Sequence, residues 1–494
     1  MQKTVRLATA LLALGFCCGA ADAKSSIEHV LLISVDGMHA SDLAHYVSTY
    51  PQSALAKLAG HGLTYSNAQT TLPSDSFPGL LSLVTGGSPR TTGVWYDEAF
   101  GRDLAEAKDC KPGANGVGAG YDYSETIDVR NGSMFTTIDP ARLVVDPATC
   151  KPIYPHSLLR VNTVFEVVKE AGRRTAWADK HPAYDLVNGP SGKGVDDLFV
   201  PEITIPDGED ATESVEKTIA YDTLKVEAIV NELKGQDSAG KQTVGVPAVL
   251  GMNFQAVSVA QKLKGAGYKN ADGEPSDGLA KALDFVDKSL ATFEATLESE
   301  KIADNTLVIV TAKHGQTPID PAKRHIVDGK ALKAALASAG KDVVASVTTD
   351  DVALVWLNDN SKAGEVVQAL EAKKADLAIA DVISGEALAE NYADPAKDPR
   401  APDIIVLPEV GVIYTKPTAT KLAEHGGGAP DDRHVALLVS NPSIKAAQVD
   451  EAVSTTQVAP SIVKALGLKP ESLEAVGEEK TAVLPKLDDA LGAK

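Results

Sequence analysis

The chain has 494 residues, 44% of them apolar and 23% charged, with 40 Gly and 27 Pro. This is an ordinary globular composition with enough chain for a large core, and it excludes disorder over most of the length. A net charge of −20 at pH 7 excludes a surface that attracts nucleic acid or anionic lipid at long range, so a small anionic substrate would need a local positive centre such as a metal ion.

From the N-terminus, "MQKTVRLATALLALGFCCGAADA" has Lys3 and Arg6, an apolar stretch, and then Ala21-Asp22-Ala23. That is the three-part pattern of a secretory signal peptide, with cleavage after Ala23. The apolar core is short for a membrane anchor, and Phe16 is a poor neighbour for lipoprotein cleavage at Cys17 or Cys18. No other stretch reads as transmembrane. The expectation is a periplasmic or secreted protein with no stable membrane anchor. The sequence is silent on oligomeric state.

Next comes "HVLLISVDG", an apolar run that stops at Asp36, followed by an amphipathic stretch. "TTLPSDSFPGLLSLVTGG" predicts a helix whose first turn contains Pro78, with Ser76 at or just before its N-terminus. Residues 100–160 are rich in Gly, Asp and Pro and read as an ordered surface insertion. They contain Cys110 and Cys150, the two cysteines left after the leader is removed. In an exported chain these are expected to form one disulfide. "NTVFEVVKEAG" predicts a helix and "RRTAWADKH" a strand that ends in Asp179, Lys180 and His181. "PAVLGMNFQ" is a further strand. Leu279, Leu283, Val286, Leu290, Phe293 and Leu297 recur at spacings of three and four, which predicts a helix over 278–302. "TLVIVTAKHGQ" is another buried strand, ending in Lys313 and His314. Residues 330–420 predict a small inserted α/β subdomain. "HVALLVSNP" and "TTQVAPSIVKALG" close a main domain over 24–480, and 481–494 form a tail. Continuous apolar strands alternating with amphipathic helices predict an α/β fold with a large, mainly parallel central sheet flanked by helices.

Ligands in such sheets gather at the carboxyl ends of strands. Asp36, Asn253, Lys180, Lys313 and His314 all stand at such ends. Asp and His gathered there suit a divalent metal. Ser76 has two readings. It is a helix cap, or it is a nucleophile activated by an adjacent metal.

Taken together, "VLLISVDGM", "LPSDSFPGLLSLVTGGSPRTTGV", "TLVIVTAKHGQ", "EHGGGAPDDRHVALLVSNP" and "TTQVAPSIVKALGL" resemble the alkaline phosphatase superfamily. The nearest branch is the type I phosphodiesterase/nucleotide pyrophosphatase group. The resemblance implies an alkaline-phosphatase-like α/β fold around a large sheet. It implies a metal-dependent hydrolase of phosphate esters, acting on phosphodiester or pyrophosphate bonds through a covalent intermediate on Ser76, and a small anionic phosphate ester as substrate. It further implies one or two divalent metals, zinc in kind, held by Asp36, Ser76, His314 and His425. Three departures stand against a full two-zinc site. Lys313 replaces an Asp ligand; Asn253 and Val257 stand where an Asp and a His are expected; and Asp97 stands where an Asn steadies the phosphate.

The expectation that follows is a single metal at Asp36, Ser76 and His314, with Asp97 or Asp75 as a replacement ligand, while Lys313 and His425 stabilise the transferred group. Lys180, Asn253 and Asp432 are expected beside the substrate. Two alternatives remain: that Asp179, Asp431 or Asp432 fills the vacant ligand positions, or that the protein is a degenerate binding protein on the same scaffold. A sulfate or phosphonate ester hydrolase shares the scaffold too, but the C/S-x-P-x-R pattern of sulfatases is absent, because Ser76 is followed by Phe-Pro-Gly-Leu.

Overall fold

The computed structural model describes residues 27–113, 118–205 and 208–492. The expected leader and its cleavage site lie outside the described residues.

The centre is an eight-stranded sheet. Across it the strands run Ala447–Val449, Gly62–Tyr65, Leu437–Ser440, Thr306–Thr311, His29–Val35, Val249–Phe254, Ala176–Ala178 and Asp197–Phe199. His29–Val35 lies in the middle, parallel to both neighbours. Only Leu437–Ser440 runs against the strands beside it. The central strands "HVLLISV", "VLGMNF" and "TLVIVT" are buried on both faces, apart from the half-buried His29 at one end. This is why each is a continuous apolar run and does not alternate. Helices cover the faces. The longest, Asp277–Ser299, buries Leu279, Leu283, Val286, Leu290, Phe293 and Leu297 against the sheet layer. It ends three residues before the expected 302, and Lys301 just beyond it has φ +59°.

A second sheet of four antiparallel strands is ordered Val344–Thr349, Ala353–Leu357, Ile404–Pro408, Ile379–Ser384. With the helices Gly329–Ala337 and Ala363–Glu371 it encloses a separate small core that includes Leu336, Val355, Leu370 and Val406. The region from 100 to 160 contains a short hairpin, Glu98–Gly101 with Ala119–Asp122, and a disulfide joining Cys110 to Cys150.

The strand order decides what meets at the carboxyl edge. The parallel strands His29–Val35, Val249–Phe254, Thr306–Thr311 and Ala176–Ala178 end side by side, at Asp36, Gln255, Lys313–His314 and Asp179–Lys180. Backbone bonds tie these ends together: Asp36 N–H donates to the Phe254 carbonyl (3.0 Å) and Gly37 N–H to that of His314 (3.1 Å). The helix Ser76–Thr85 lies directly on this edge. A Cβ added at Gly79 would come within 2.2 Å of the Lys313 carbonyl oxygen, so the absence of a side chain there is what lets the helix approach.

Candidate functional site

Asp36 is fully buried. Its Oδ2 accepts hydrogen bonds from Asn253 Nδ2 (3.2 Å) and Gln255 Nε2, and Lys180 Nζ lies 3.6 Å away. His314 Nε2 is 3.7 Å from Oδ1, and Oδ1 has no hydrogen-bond partner. Burial pushes the carboxyl up. Lys313, His314, Lys180 and the Gln255 amide outweigh that and hold it well below the usual carboxylate range. Asp36 is therefore a charged group in a dry place, sustained by neighbouring cations.

Ser76 opens its helix, and the residue before it takes the capping role: Asp75 Oδ1 accepts the Phe77 N–H (3.1 Å). The Ser76 hydroxyl is thus free of that duty. Its Oγ lies 3.2 Å from His314 Nε2 and 3.2 Å from Lys180 Nζ. His314 Nδ1 lies 2.8 Å from the Gly315 carbonyl oxygen. A carbonyl can only accept, so Nδ1 carries the proton and Nε2 turns a lone pair toward Ser76. Burial lowers the His314 pKa to about 4, against the pull of Asp36, so the imidazole is neutral at pH 7. For Lys180, Asp36, Asp179, Asp97 and Asp75 outweigh burial and raise the pKa, so its ammonium is a permanent charge. Lys180 and His425 keep 15% and 12% of their side chains exposed, whereas Asp36, Ser76 and His314 are closed off. The cluster is thus nearest to solvent at Lys180 and His425.

The His425 ring lies against that of His314, with centroids 4.0 Å apart and the planes tilted by 33°. Its Nδ1 is 3.8 Å from Asp75 Oδ2, and neither atom has a hydrogen-bond partner. Burial, His314 and Lys262 hold its pKa well below the ordinary value.

The remaining expected site residues fall differently. Lys313, expected to stabilise the transferred group, points elsewhere. Its Nζ donates to Asp179 (3.1 Å) and to the Tyr184 hydroxyl (2.9 Å) and lies over the Tyr184 ring. Lys180, expected only as a substrate neighbour, is the lysine that touches the serine. Asn253 holds Asp36 by its amide, so that donor is committed to the protein. Asp97 is half-buried beside Asp75: its N–H donates to Asp75 Oδ1 (3.1 Å), and its own Oδ1 accepts the Glu98 N–H. Burial and Asp75 push its carboxyl well above the ordinary range. Asp432 is buried against Asp351. Its Oδ2 accepts the Ala429 N–H (3.1 Å) and its backbone carbonyl accepts the Gly315 N–H (2.7 Å). It braces the His314 loop through the backbone.

The sequence places Gln255 with Asn253 at a strand end but gives it no role, and it does not single out Tyr184. Gln255 stands two residues after Asn253, and a period of two puts both on the same side of a strand end. That was the available signal. Nothing local marks Tyr184, whose partner Lys313 is 129 positions away.

These donors do not fit a two-metal centre. Gln255 and Asn253 are neutral amides, and Lys313 is a cation where an acid was expected. For one ion there remain Asp36 Oδ1, His314 Nε2 and Ser76 Oγ, with the Lys180 ammonium against two of the three residues. At about 4 Å and an effective dielectric near 20, a dication and an ammonium repel by on the order of 8 kcal/mol. Among the described residues, the one group of three His or acidic side chains within ligand distance of one another is Glu125, His181 and Glu202, which includes none of the side chains around Ser76.

Comparison with known proteins agrees with this layout. The family model for type I phosphodiesterase/nucleotide pyrophosphatase matches residues 30–429. Murine ectonucleotide pyrophosphatase/phosphodiesterase 5 superposes with a TM-score of 0.58 at 16% identity, covering 90% of this chain and 96% of that one. An inactive threonine-to-alanine variant of the same murine protein, in complex with AMP, superposes with a TM-score of 0.56 at the same identity and coverage. No curated protein sequence matches the chain. The family match spans most of the chain, and the sheet carries the alkaline-phosphatase-like arrangement. The chain belongs to the type I phosphodiesterase/nucleotide pyrophosphatase family.

Proposed function

We propose that the protein is an exported hydrolase of phosphodiester or pyrophosphate bonds in which Ser76 is the nucleophile and Lys180 supplies the positive charge beside it. The observation that carries this reading is the position of Ser76 Oγ, 3.2 Å from a neutral imidazole nitrogen and 3.2 Å from an ammonium. His314 Nε2 takes the hydroxyl proton as Oγ attacks phosphorus. The bond from phosphorus to the leaving oxygen breaks, and that oxygen departs with the bonding pair and takes the proton from His314, which returns the imidazole to its neutral form. Water, deprotonated by the same imidazole, then attacks the phosphorus of the phosphoserine ester, the bond from phosphorus to Oγ breaks, and the proton held by His314 passes to Oγ to restore Ser76. The Lys180 ammonium offsets the charge that gathers on the phosphoryl oxygens. Hydrogen bonds from the side-chain amides of Asn253 and Gln255 fix Asp36, and Asp36 in turn helps hold Lys180 in place. The AMP complex of the murine relative supports a nucleotide-type substrate. The Cys110–Cys150 bond supports an oxidising compartment, periplasmic or extracellular. Among the described residues no helix is long and apolar enough to cross a membrane.

A second reading places one zinc ion on Asp36 Oδ1, His314 Nε2 and Ser76 Oγ. The unpartnered, buried Asp36 Oδ1 favours it. The two readings part on metal content. With zinc at this centre, Asp36→Ala loses about one zinc per chain relative to wild type. With Lys180 as the cation, the two proteins have equal metal content.

Ser76→Ala is expected to abolish turnover of bis(4-nitrophenyl) phosphate while leaving the far-ultraviolet circular dichroism unchanged. Turnover within tenfold of wild type would reject the nucleophile. The pH profile supplies an independent check. Because the His314 pKa is lowered to about 4, the base stays deprotonated through neutral pH and is lost only as the pH falls through about 4. The acid limb that it sets in kcat/KM should therefore fall near pH 4, well below the ordinary imidazole value near 6.5.

A further inference from the structure

A second cluster of buried ionisable groups lies one residue along from Lys180, and the reaction proposed above does not use it. His181 follows Lys180, and its Nδ1 faces both carboxylate oxygens of Glu202, at 2.7 and 2.9 Å. Glu202 follows the edge strand Asp197–Phe199, is fully buried, and accepts the Thr204 N–H (2.9 Å) on Oε1. Glu125 comes from the 100–160 insertion. One ligand atom each from Glu125, His181 and Glu202 lie within 4.8 Å of one another.

The observation that singles this cluster out is Asp128, from the same insertion. It is 0% exposed, no backbone, amide or hydroxyl donor reaches either of its carboxylate oxygens, and its side-chain hydrogen-bonding neighbour is the Glu202 carboxyl, another acid. Two carboxyls in contact cannot both ionise without a cation. The groups that act on it are Glu202 and Glu125, both acidic, and Arg142. Arg142 is committed to Asp139 (3.3 Å). Burial and these acids raise the Asp128 pKa to about 8, and burial raises that of Glu202 to about 8. Two fully buried carboxyls, the half-buried Glu125 and an imidazole thus gather here, and Arg142, the cation that acts on Asp128, is held by Asp139, the reverse of the arrangement around Asp36.

We propose that Glu125, Asp128, His181 and Glu202 form a binding site for one divalent transition-metal ion, zinc or manganese. Three oxygen donors and one imidazole nitrogen suit those ions. The ion neutralises the acids and gives Asp128 a cation where it now meets another acid. It also ties the insertion to the loop that carries Lys180, so it is a structural ion that shapes the entrance to Ser76 and does not touch the reacting atoms. The site stands whether or not Ser76 is a nucleophile.

The test is calorimetric titration of the chelator-stripped mature protein with zinc chloride and, separately, manganese chloride. It uses wild type, Glu202→Gln, Asp128→Asn and Asp36→Asn, with thermal melts alongside. The expected result is about one ion per chain in wild type and in Asp36→Asn, with affinity at least 100-fold weaker in Glu202→Gln and Asp128→Asn. The metal should raise the melting temperature of wild type and leave that of Asp128→Asn unmoved. Asp128→Asn replaces a buried acid whose neighbour is another acid by a neutral amide and should fold without metal, so it keeps the test decisive if Glu202→Gln does not fold. The proposal is overturned if wild type binds neither ion saturably, if binding survives both substitutions, or if binding disappears in Asp36→Asn.

Discussion

The charge on Asp36 is the constraint around which the rest of the site is built. A carboxylate cannot lie fully buried at the end of a central strand unless cations and donors surround it. The fold meets this need by ending four parallel strands side by side. One brings the acid, a second His314 and Lys313, a third the two amides of Asn253 and Gln255, and the fourth Lys180 and Asp179. Removing any one partner leaves an uncompensated charge in a dry place, and breaking a buried pair in this way costs about 3–5 kcal/mol.

The same constraint sets the chemistry. Two lysines and two aspartates interlock: Lys180 faces Asp36, and Lys313 faces Asp179. With the ammonium of Lys180 fixed beside Ser76 Oγ, the positive charge needed by an anionic substrate is already part of the chain. A family whose resemblance implies two metals is represented here by a site in which Lys313 stands for an acid, and Asn253 and Val257 for an Asp and a His, while Asp36, Ser76, His314 and His425 are kept. In the reading proposed above, the Lys180 ammonium supplies positive charge beside Ser76, and Lys313 is paired with Asp179. The Asp75 cap completes the arrangement by leaving the Ser76 hydroxyl free to meet His314.

Much of the fold was legible because period and burial are local properties. The apolar runs ending in Asp36 and His314, and the three-and-four spacing from Leu279 to Leu297, announce buried strands and a packed helix without help from the rest of the chain. The meeting of Asp36, Ser76 and His314 was legible from strand ends and from resemblance. The partnerships of the lysines were not. "DKHPAYD" reads locally as a Pro-ordered turn, and only the strand order brings Lys180 to a serine 104 positions away. Lys313 stands in the sequence where a ligand should be, and its commitment to Asp179 and Tyr184 is a tertiary fact. Asp97 illustrates the same limit. Its type suggests a ligand, whereas burial and Asp75, which push its carboxyl well above the ordinary range, are tertiary facts that the local sequence does not carry.

The most direct test of Lys180 as the working cation is mass spectrometry of Ser76 after metal-depleted protein is mixed with bis(4-nitrophenyl) phosphate and quenched in acid. The expected result is a 4-nitrophenyl phosphoryl adduct on Ser76 in the absence of metal, lost in Lys180→Ala. An adduct that forms only after zinc is added back, and forms equally in Lys180→Ala, would contradict it.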